Sequence, residues 1–105
     1  MSTTLNDVQV SINHQVCRDL GDKTQEELKN MFFFGLGEET GEVLGIAKRI
    51  IRSFEKDISA TSREHLIEEL GDVLWYLTAI CNTCGTSLQE IWDYNVAKLE
   101  ERYGR

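Results

Sequence analysis

Two short acidic segments of this chain carry carboxylates at spacings that suit a metal ion. Their acids are Glu38, Glu39 and Glu42 in the first segment and Glu68, Glu69 and Asp72 in the second. Residues three or four positions apart lie on one face of an α-helix, so each segment presents a pair of carboxylates together. Two such pairs facing each other would supply the hard oxygen ligands that Mg²⁺ requires.

The hydrophobic pattern places one acid of each segment among core positions. Glu39 follows Leu36 by three residues and precedes Val43 by four, which puts it within the apolar stripe of its helix. Glu69 occupies the corresponding position in the apolar stripe of the next predicted helix. A carboxylate on a core-facing stripe costs several kcal/mol unless it is paired or bound to a metal. We therefore predict a metal site here, against the alternative of a solvated charged face.

Capping patterns divide the chain into four segments with helical periodicity. Four hydroxyl residues precede an acid by three positions, as in a capping box: Thr4, Thr24, Thr61 and Ser87. Glycines that follow three of these segments are typical helix ends: Gly21, Gly85 and Gly104. We predict helices over residues 4–20, 24–56, 61–83 and 87–103. Since strand-type alternation is absent, the predicted fold is an all-α four-helix bundle in a single domain over residues 1–105.

Five glycines fall inside the predicted helices, where each costs about 1 kcal/mol relative to alanine. They are Gly35, Gly37, Gly41, Gly45 and Gly71. Glycine permits close approach of another backbone or of a ligand. We expect either a tight helix crossing through Gly41 and Gly45 or a ligand that lies against the backbone.

Composition narrows the possible partners. The chain has 105 residues with 41% apolar and 28% charged residues, as is typical of a globular domain. Its net charge of −7 argues against nucleic-acid binding, which needs a cationic surface. No apolar run reaches the roughly 20 residues that a bilayer requires, and no signal peptide is evident, so we predict no membrane contact and a cytoplasmic location. The three cysteines are predicted to be reduced.

The ligand chemistry favours Mg²⁺, or Mn²⁺, over iron. A di-iron carboxylate bundle needs a histidine three residues after a glutamate, and neither His14 nor His65 has that position. Protein-bound Mg²⁺ usually also binds substrate phosphates, so phosphate-binding groups are expected elsewhere. Asn95, Lys98 and Arg102 form one polar stripe on the fourth predicted helix. We favour contact with a triphosphate over the alternative of a solvated face.

The order of these motifs resembles the MazG-like nucleoside triphosphate pyrophosphohydrolases. The matching blocks are Glu38-Glu39-Thr-Gly-Glu42, Glu69-Leu-Gly-Asp72-Val-Leu-Trp75-Tyr76-Leu and Asn95-x-x-Lys98-Leu-x-x-Arg102-Tyr103. Gln15-Val-Cys-Arg18 resembles the first helix of the family more weakly, so the resemblance covers about residues 12–103. The proline that usually follows the final Arg-Tyr in the family is Gly104 here.

This resemblance implies an all-α enzyme that forms homodimers or homotetramers. It implies hydrolysis of a (d)NTP between the α- and β-phosphates, which yields the monophosphate and pyrophosphate. By the family pattern, the metal ligands would be Glu39, Glu42, Glu69 and Asp72, and the phosphates would be held by Lys98 and Arg102 beside Asn95. Glu38, with Glu39, would take the catalytic role of handling the attacking water, and Glu68 would be an outer or substrate contact.

Two alternatives remain open from the sequence. One is a related all-α hydrolase that selects a pyrimidine nucleotide such as dUTP or dCTP. The other is a non-catalytic helical interaction module whose acids hold a structural cation. Aromatic residues such as Trp75 and Trp92 could stack on a base, although core or subunit contacts are the more common role. The sequence therefore leaves the base preference open.

Overall fold

The computed structural model describes residues 2–53 and 59–104. These residues form four α-helices and no strand: α1 (Leu5–Leu20), α2 (Gln25–Arg52), α3 (Ala60–Cys84) and α4 (Leu88–Tyr103). The all-α prediction is confirmed. Helix α2 ends at Arg52, with Ser53 as its C-cap, before the predicted end at residue 56. Residues 54–56 of that prediction lie outside the described residues.

The helix ends follow local capping chemistry. Three predicted N-caps are observed, each accepting a hydrogen bond from the backbone N–H three residues on: Thr4, Thr24 and Ser87. The prediction for Thr61 is wrong, because Ser59 caps α3 by accepting a hydrogen bond from the Ser62 N–H at 3.2 Å. Since Ser59 offers an equivalent hydroxyl two residues earlier, Thr61 falls inside the first turn.

Two of the three predicted glycine ends have the left-handed backbone that glycine favours. Gly85 has φ of +75° and Gly104 has φ of +68°. Gly21 follows α1 as predicted but has a right-handed backbone with φ of −65°. The α1–α2 turn therefore does not depend on the conformational freedom of glycine, in contrast to the α3–α4 turn.

The core forms where α1 and α2 pack on α3. Helix α2 packs most extensively against α3, and α1 lies across α3 and contacts α4 to a smaller extent. The buried side chains of this core are Ile12, Val16, Leu28, Phe32 and Ala79. Leu28 and Phe32 lie four residues apart on α2 and are both buried, as expected for the apolar face of a helix.

A buried glutamine joins α1 to the start of α4. The Gln9 side chain donates from Nε2 to Asn82 Oδ1 at 3.0 Å and accepts at Oε1 from the Leu88 N–H at 2.7 Å. Asn82 in turn donates from Nδ2 to the Gln9 carbonyl at 3.1 Å. These bonds hold the α3–α4 turn against α1 and satisfy one of the free N–H groups at the start of α4.

The C-terminal half of α4 extends away from this core. A shallow apolar concavity there is lined by residues of α4 alone, among them Val96, Leu99 and Tyr103. The radius of gyration is 16.5 Å, whereas a compact chain of this length has about 13 Å. Within residues 2–53 and 59–104, no helix is long and apolar enough to cross a membrane.

Candidate metal and nucleotide site

The two acidic segments meet because α2 and α3 pack as an antiparallel pair through a close contact at Gly35. A Cβ atom at Gly35 would lie only 2.2 Å from Cε1 of Tyr76, so the ring occupies the space that a side chain would need. Tyr76 also contacts Trp75 at a ring-centroid distance of 5.2 Å, and Phe32 lies 5.8 Å from Trp75. Gly35 is thus the glycine that allows close helix packing.

The close crossing predicted at Gly41 and Gly45 is wrong for the described part of the chain. Nothing lies within 4 Å of a Cβ built at Gly41, and only the Arg49 side chain of the same helix approaches Gly45. Both positions lie beyond the aromatic contact, where the helix pair instead presents acids. The sequence pattern marks five helical glycines but does not distinguish the packed one from the open ones.

One helical turn beyond the Gly35–Tyr76 contact, three carboxylates converge. Oxygen atoms of Glu39, Glu69 and Asp72 lie within 4.8 Å of one another. Glu39 and Glu69 are half-buried, whereas Asp72 is exposed to solvent. A set of three carboxylates with solvent access suits Mg²⁺ or Mn²⁺, which bind oxygen ligands and retain water molecules. The donor set of this site therefore fits a hard divalent cation.

The electrostatics of the cluster also favour a bound cation. Partial burial, the hydrogen bond to Glu69 and the negative charges of Asp72, Glu69 and Glu38 raise the pKa of Glu39 to about 7. Every neighbouring charge that acts on Glu39 is negative, and no lysine or arginine of the described chain offsets them. In the metal-free protein, the surrounding negative charge thus favours the neutral form of Glu39 over its carboxylate.

The other predicted acids lie around this cluster rather than in it. Glu38, Glu42 and Glu68 are exposed, and none belongs to the group of converging oxygens. Glu38 is nevertheless close enough for its charge to raise the pKa of Glu39. Glu42 lies one turn beyond Glu39 on α2, ten residues before the end of the helix.

The structure does not bring the predicted phosphate-binding residues to the acids. Asn95 and Lys98 are half-buried on α4 and line a separate depression next to the α3–α4 turn, while Arg102 is exposed in the last turn. Among the described residues, α4 has its main contacts with α1, and Asn95 lines a shallow concavity together with Leu74 of α3. The phosphate-binding role of Lys98 and Arg102 stays a prediction.

A hydrogen bond that the sequence pattern does not indicate links α1 to α3 close to the acidic cluster. Trp75 donates from Nε1 to Gln15 Oε1 at 2.8 Å, and Trp75 lies one turn from Asp72. Nothing in the spacing of Gln15 indicates this bond, because the partners are sixty residues apart. The bond holds the Trp75 ring, which packs against Phe32 and Tyr76.

Comparison with known proteins agrees with this geometry. A family model described as "MazG nucleotide pyrophosphohydrolase domain" matches residues 23–104, which include both acidic segments and the polar stripe of α4. The Gene 37 protein of Mycobacterium phage L5 is 35% identical over 71 residues, covering 68% of this chain and 62% of that protein. This chain thus spans less than two thirds of that relative. The family match covers most of the sequence, and the chain belongs to the MazG family of nucleotide pyrophosphohydrolases.

Proposed function

We propose that this protein is a Mg²⁺-dependent hydrolase, with Mn²⁺ as a substitute, that converts a (d)NTP to the (d)NMP and pyrophosphate. The observation that carries the proposal is the convergence of Glu39, Glu69 and Asp72, where no lysine or arginine of the described residues is among the charges that act on Glu39. Such a cluster repels a triphosphate unless a metal ion lies between them. Family membership supports the same class of reaction.

Each residue in and around the cluster would have its own role in the reaction. Glu39, Glu69 and Asp72 would hold the metal ion, and Glu42 would join them from the next turn of α2. The bound ion would offset the charge of the phosphates and lower the pKa of a coordinated water. Glu38, which lies beside Glu39, accepts the proton of the attacking water as its oxygen bonds to phosphorus. The phosphoanhydride bond between the α- and β-phosphates breaks, and pyrophosphate leaves. Glu68 makes an outer contact.

Turnover assays test this function. Each dNTP is incubated with the protein and Mg²⁺, and the release of monophosphate and pyrophosphate is measured; a strong preference for dUTP or dCTP would identify a pyrimidine-selective enzyme. Asp72→Ala should abolish turnover and the metal-induced rise in melting temperature, whereas Glu26→Ala, an exposed acid in the first turn of α2, should change neither. Metal-dependent stabilisation with no turnover of any dNTP would favour a non-catalytic module and overturn the proposal.

We also propose that a second copy of the chain completes the site. Large apolar side chains are exposed on all four helices, among them Phe34 on α2 (80% exposed), Leu70 on α3 (47%) and Trp92 on α4 (57%). Apolar surface of this extent is typical of a subunit interface. Because the main contacts of α4 within its own chain are with α1, which carries none of the acids, Lys98 and Arg102 would reach the phosphates from the partner.

Complementation separates this arrangement from a site within one chain. Asp72→Ala and Lys98→Ala chains are each expected to be inactive. When they are unfolded together and refolded, mixed dimers or tetramers would contain intact sites, so turnover should return. Refolding each variant alone is the control. A monomer in sedimentation with full activity would contradict the assembly while leaving the hydrolase intact.

A further inference from the structure

One stripe of α2 continues from the acids to an arginine. Glu38, Glu42, Gly45 and Arg49 follow one another at intervals of four, three and four residues. Positions with this spacing share one face of an α-helix, so Arg49 lies on the same side of α2 as the two acids. Arg52 continues the stripe one turn further from the acids.

The side chain of Arg49 extends back along α2 towards the acids. Its Nη1 atom lies 3.8 Å from the position that a Cβ atom of Gly45 would take, one turn before Arg49. Side chains on a helix lean towards its N-terminus, and the absence of a side chain at Gly45 leaves room for the guanidinium there. At 1.5 Å per residue, Gly45 lies about 9 Å from Glu39 along the helix axis, whereas Arg49 itself lies about 15 Å away.

The guanidinium has no partner within residues 2–53 and 59–104. The ion pair found among these residues joins Arg18 to Asp19, and none of the charges that act on Glu39 is positive. The carbonyl groups at the end of α2 do not need Arg49 either, because the N–H and the hydroxyl of Ser53 donate to them. A guanidinium with five donors next to an anionic metal site suits a phosphate group.

The packing of α2 and α3 favours a phosphate chain that extends towards Arg49. On one side of the metal cluster the Tyr76 ring fills the space beside Gly35, so the two helices are in contact there. On the other side, Glu42 and Arg49 are both exposed to solvent. The axial distance of about 9 Å from Glu39 to the guanidinium suits a triphosphate that binds the metal near one end, and it leaves a diphosphate too short.

We propose that Arg49 binds the γ-phosphate of the substrate and thereby makes the enzyme select nucleoside triphosphates over diphosphates. The inference rests on the proposed hydrolase function, in which the bond between the α- and β-phosphates breaks at the metal. The γ-phosphate then leaves as part of pyrophosphate, and the guanidinium offsets the negative charge of this leaving group. A dNDP has no γ-phosphate and cannot make this contact.

The test compares the preferred dNTP with the matching dNDP by measuring kcat and KM for each. Arg49→Ala should lower kcat/KM for the dNTP at least about tenfold and change that for the dNDP by less than about twofold. Arg49→Lys should recover part of the loss, because the ammonium group keeps the charge without the planar fork of donors. Lys48→Ala is the matched control: it removes the same charge one residue earlier, about 100° around the helix, and should leave both substrates unaffected.

Binding is measured as well, so that the comparison does not depend on turnover. The ligands are dNTP and dNDP analogues with a methylene bridge between the α- and β-phosphates, titrated by calorimetry with Mg²⁺ present. An equal loss for both analogues in Arg49→Ala, or equal behaviour of Arg49→Ala and Lys48→Ala, would overturn the inference and leave the hydrolase standing. A wild-type protein that neither binds nor cleaves these nucleotides would refute the proposed hydrolase, and the inference with it.

Substitutions of Gly45 test the position of the guanidinium. Gly45→Leu places a side chain where the guanidinium lies and should reduce the preference for the dNTP over the dNDP about tenfold, as Arg49→Ala does. Gly45→Ala should keep the preference, because its Cβ lies 3.8 Å from Nη1, an ordinary van der Waals contact. Equal preferences in the two variants would overturn the inference.

Discussion

Replacing Gly35 by alanine tests whether the α2–α3 contact sets the spacing of the acids. The added Cβ would lie 2.2 Å from Cε1 and 2.5 Å from Cζ of Tyr76, far inside van der Waals contact. The aromatic ring, or the two helices, would have to move by more than 1 Å to relieve the overlap. Forcing an extra methyl group into packed structure typically costs about 1–3 kcal/mol.

The helix propensity of alanine offsets part of this cost, because alanine is favoured over glycine by about 1 kcal/mol inside a helix. We therefore expect Gly35→Ala to lower the free energy of unfolding by up to about 2 kcal/mol. For a chain of this size that corresponds to a fall of up to about 10 °C in melting temperature. The matched control is Gly37→Ala, two residues along the same helix, where nothing lies within 4 Å of an added Cβ. This control should raise stability by up to about 1 kcal/mol.

The assay is urea unfolding followed by circular dichroism at a single protein concentration, since assembly would make stability depend on concentration. A double-mutant cycle with Tyr76→Ala isolates the contact. Once the ring is removed, Gly35→Ala should become neutral or stabilising, as at Gly37. If Gly35→Ala is as stable as Gly37→Ala in the presence of Tyr76, the close packing is not what holds the two helices at this distance.

Three further predictions concern the site and the helix ends. Because the pKa of Glu39 is raised from 4.5 to about 7, the folded protein binds more protons than the unfolded chain between these values. The stability of the metal-free protein should therefore fall as the pH rises from about 4.5 through 7, and Glu39→Gln should flatten this slope in urea titrations with EDTA. Gln9→Ala leaves the Leu88 N–H and the Asn82 amide without their partner and should cost about 2 kcal/mol, whereas the exposed Gln89→Ala should cost less than about 0.5 kcal/mol in the same unfolding assay. Gly85→Ala forces a side chain into φ of +75° and should lower stability by about 1 kcal/mol, measured as a drop in melting temperature. An unchanged melting temperature would contradict the role of Gly85 as a left-handed cap.

Much of the fold follows from interactions between residues close in the chain. The capping boxes at Thr4 and Thr24, and the left-handed glycines at Gly85 and Gly104, are local features that the amino-acid order specifies directly. The same holds for the apolar periodicity that buries Phe32. The misplaced start of α3 has a local cause too, since two hydroxyl residues compete for the cap and only one can precede the helix.

The acidic cluster depends partly on local spacing and partly on how the helices pack. Their helical spacing indicates that Glu69 and Asp72 share a face, because positions three apart are neighbours on any α-helix. That Glu39 joins them is a consequence of packing, since it lies on another helix, and the half-burial that helps raise its pKa exists only in the packed protein. The roles predicted for the surrounding acids rest on the family pattern.

The sequence by itself therefore determined the helices, the apolar stripes, the pairing of carboxylates on each helix and the family. The tertiary structure decided which glycine the helices pack on, which acids of the two helices converge and which residues anchor the start of α4. These depend on contacts such as Gly35 with Tyr76 and Gln9 with Leu88. Their partners are far apart in the chain, so their meeting depends on how whole helices pack and no local spacing encodes it.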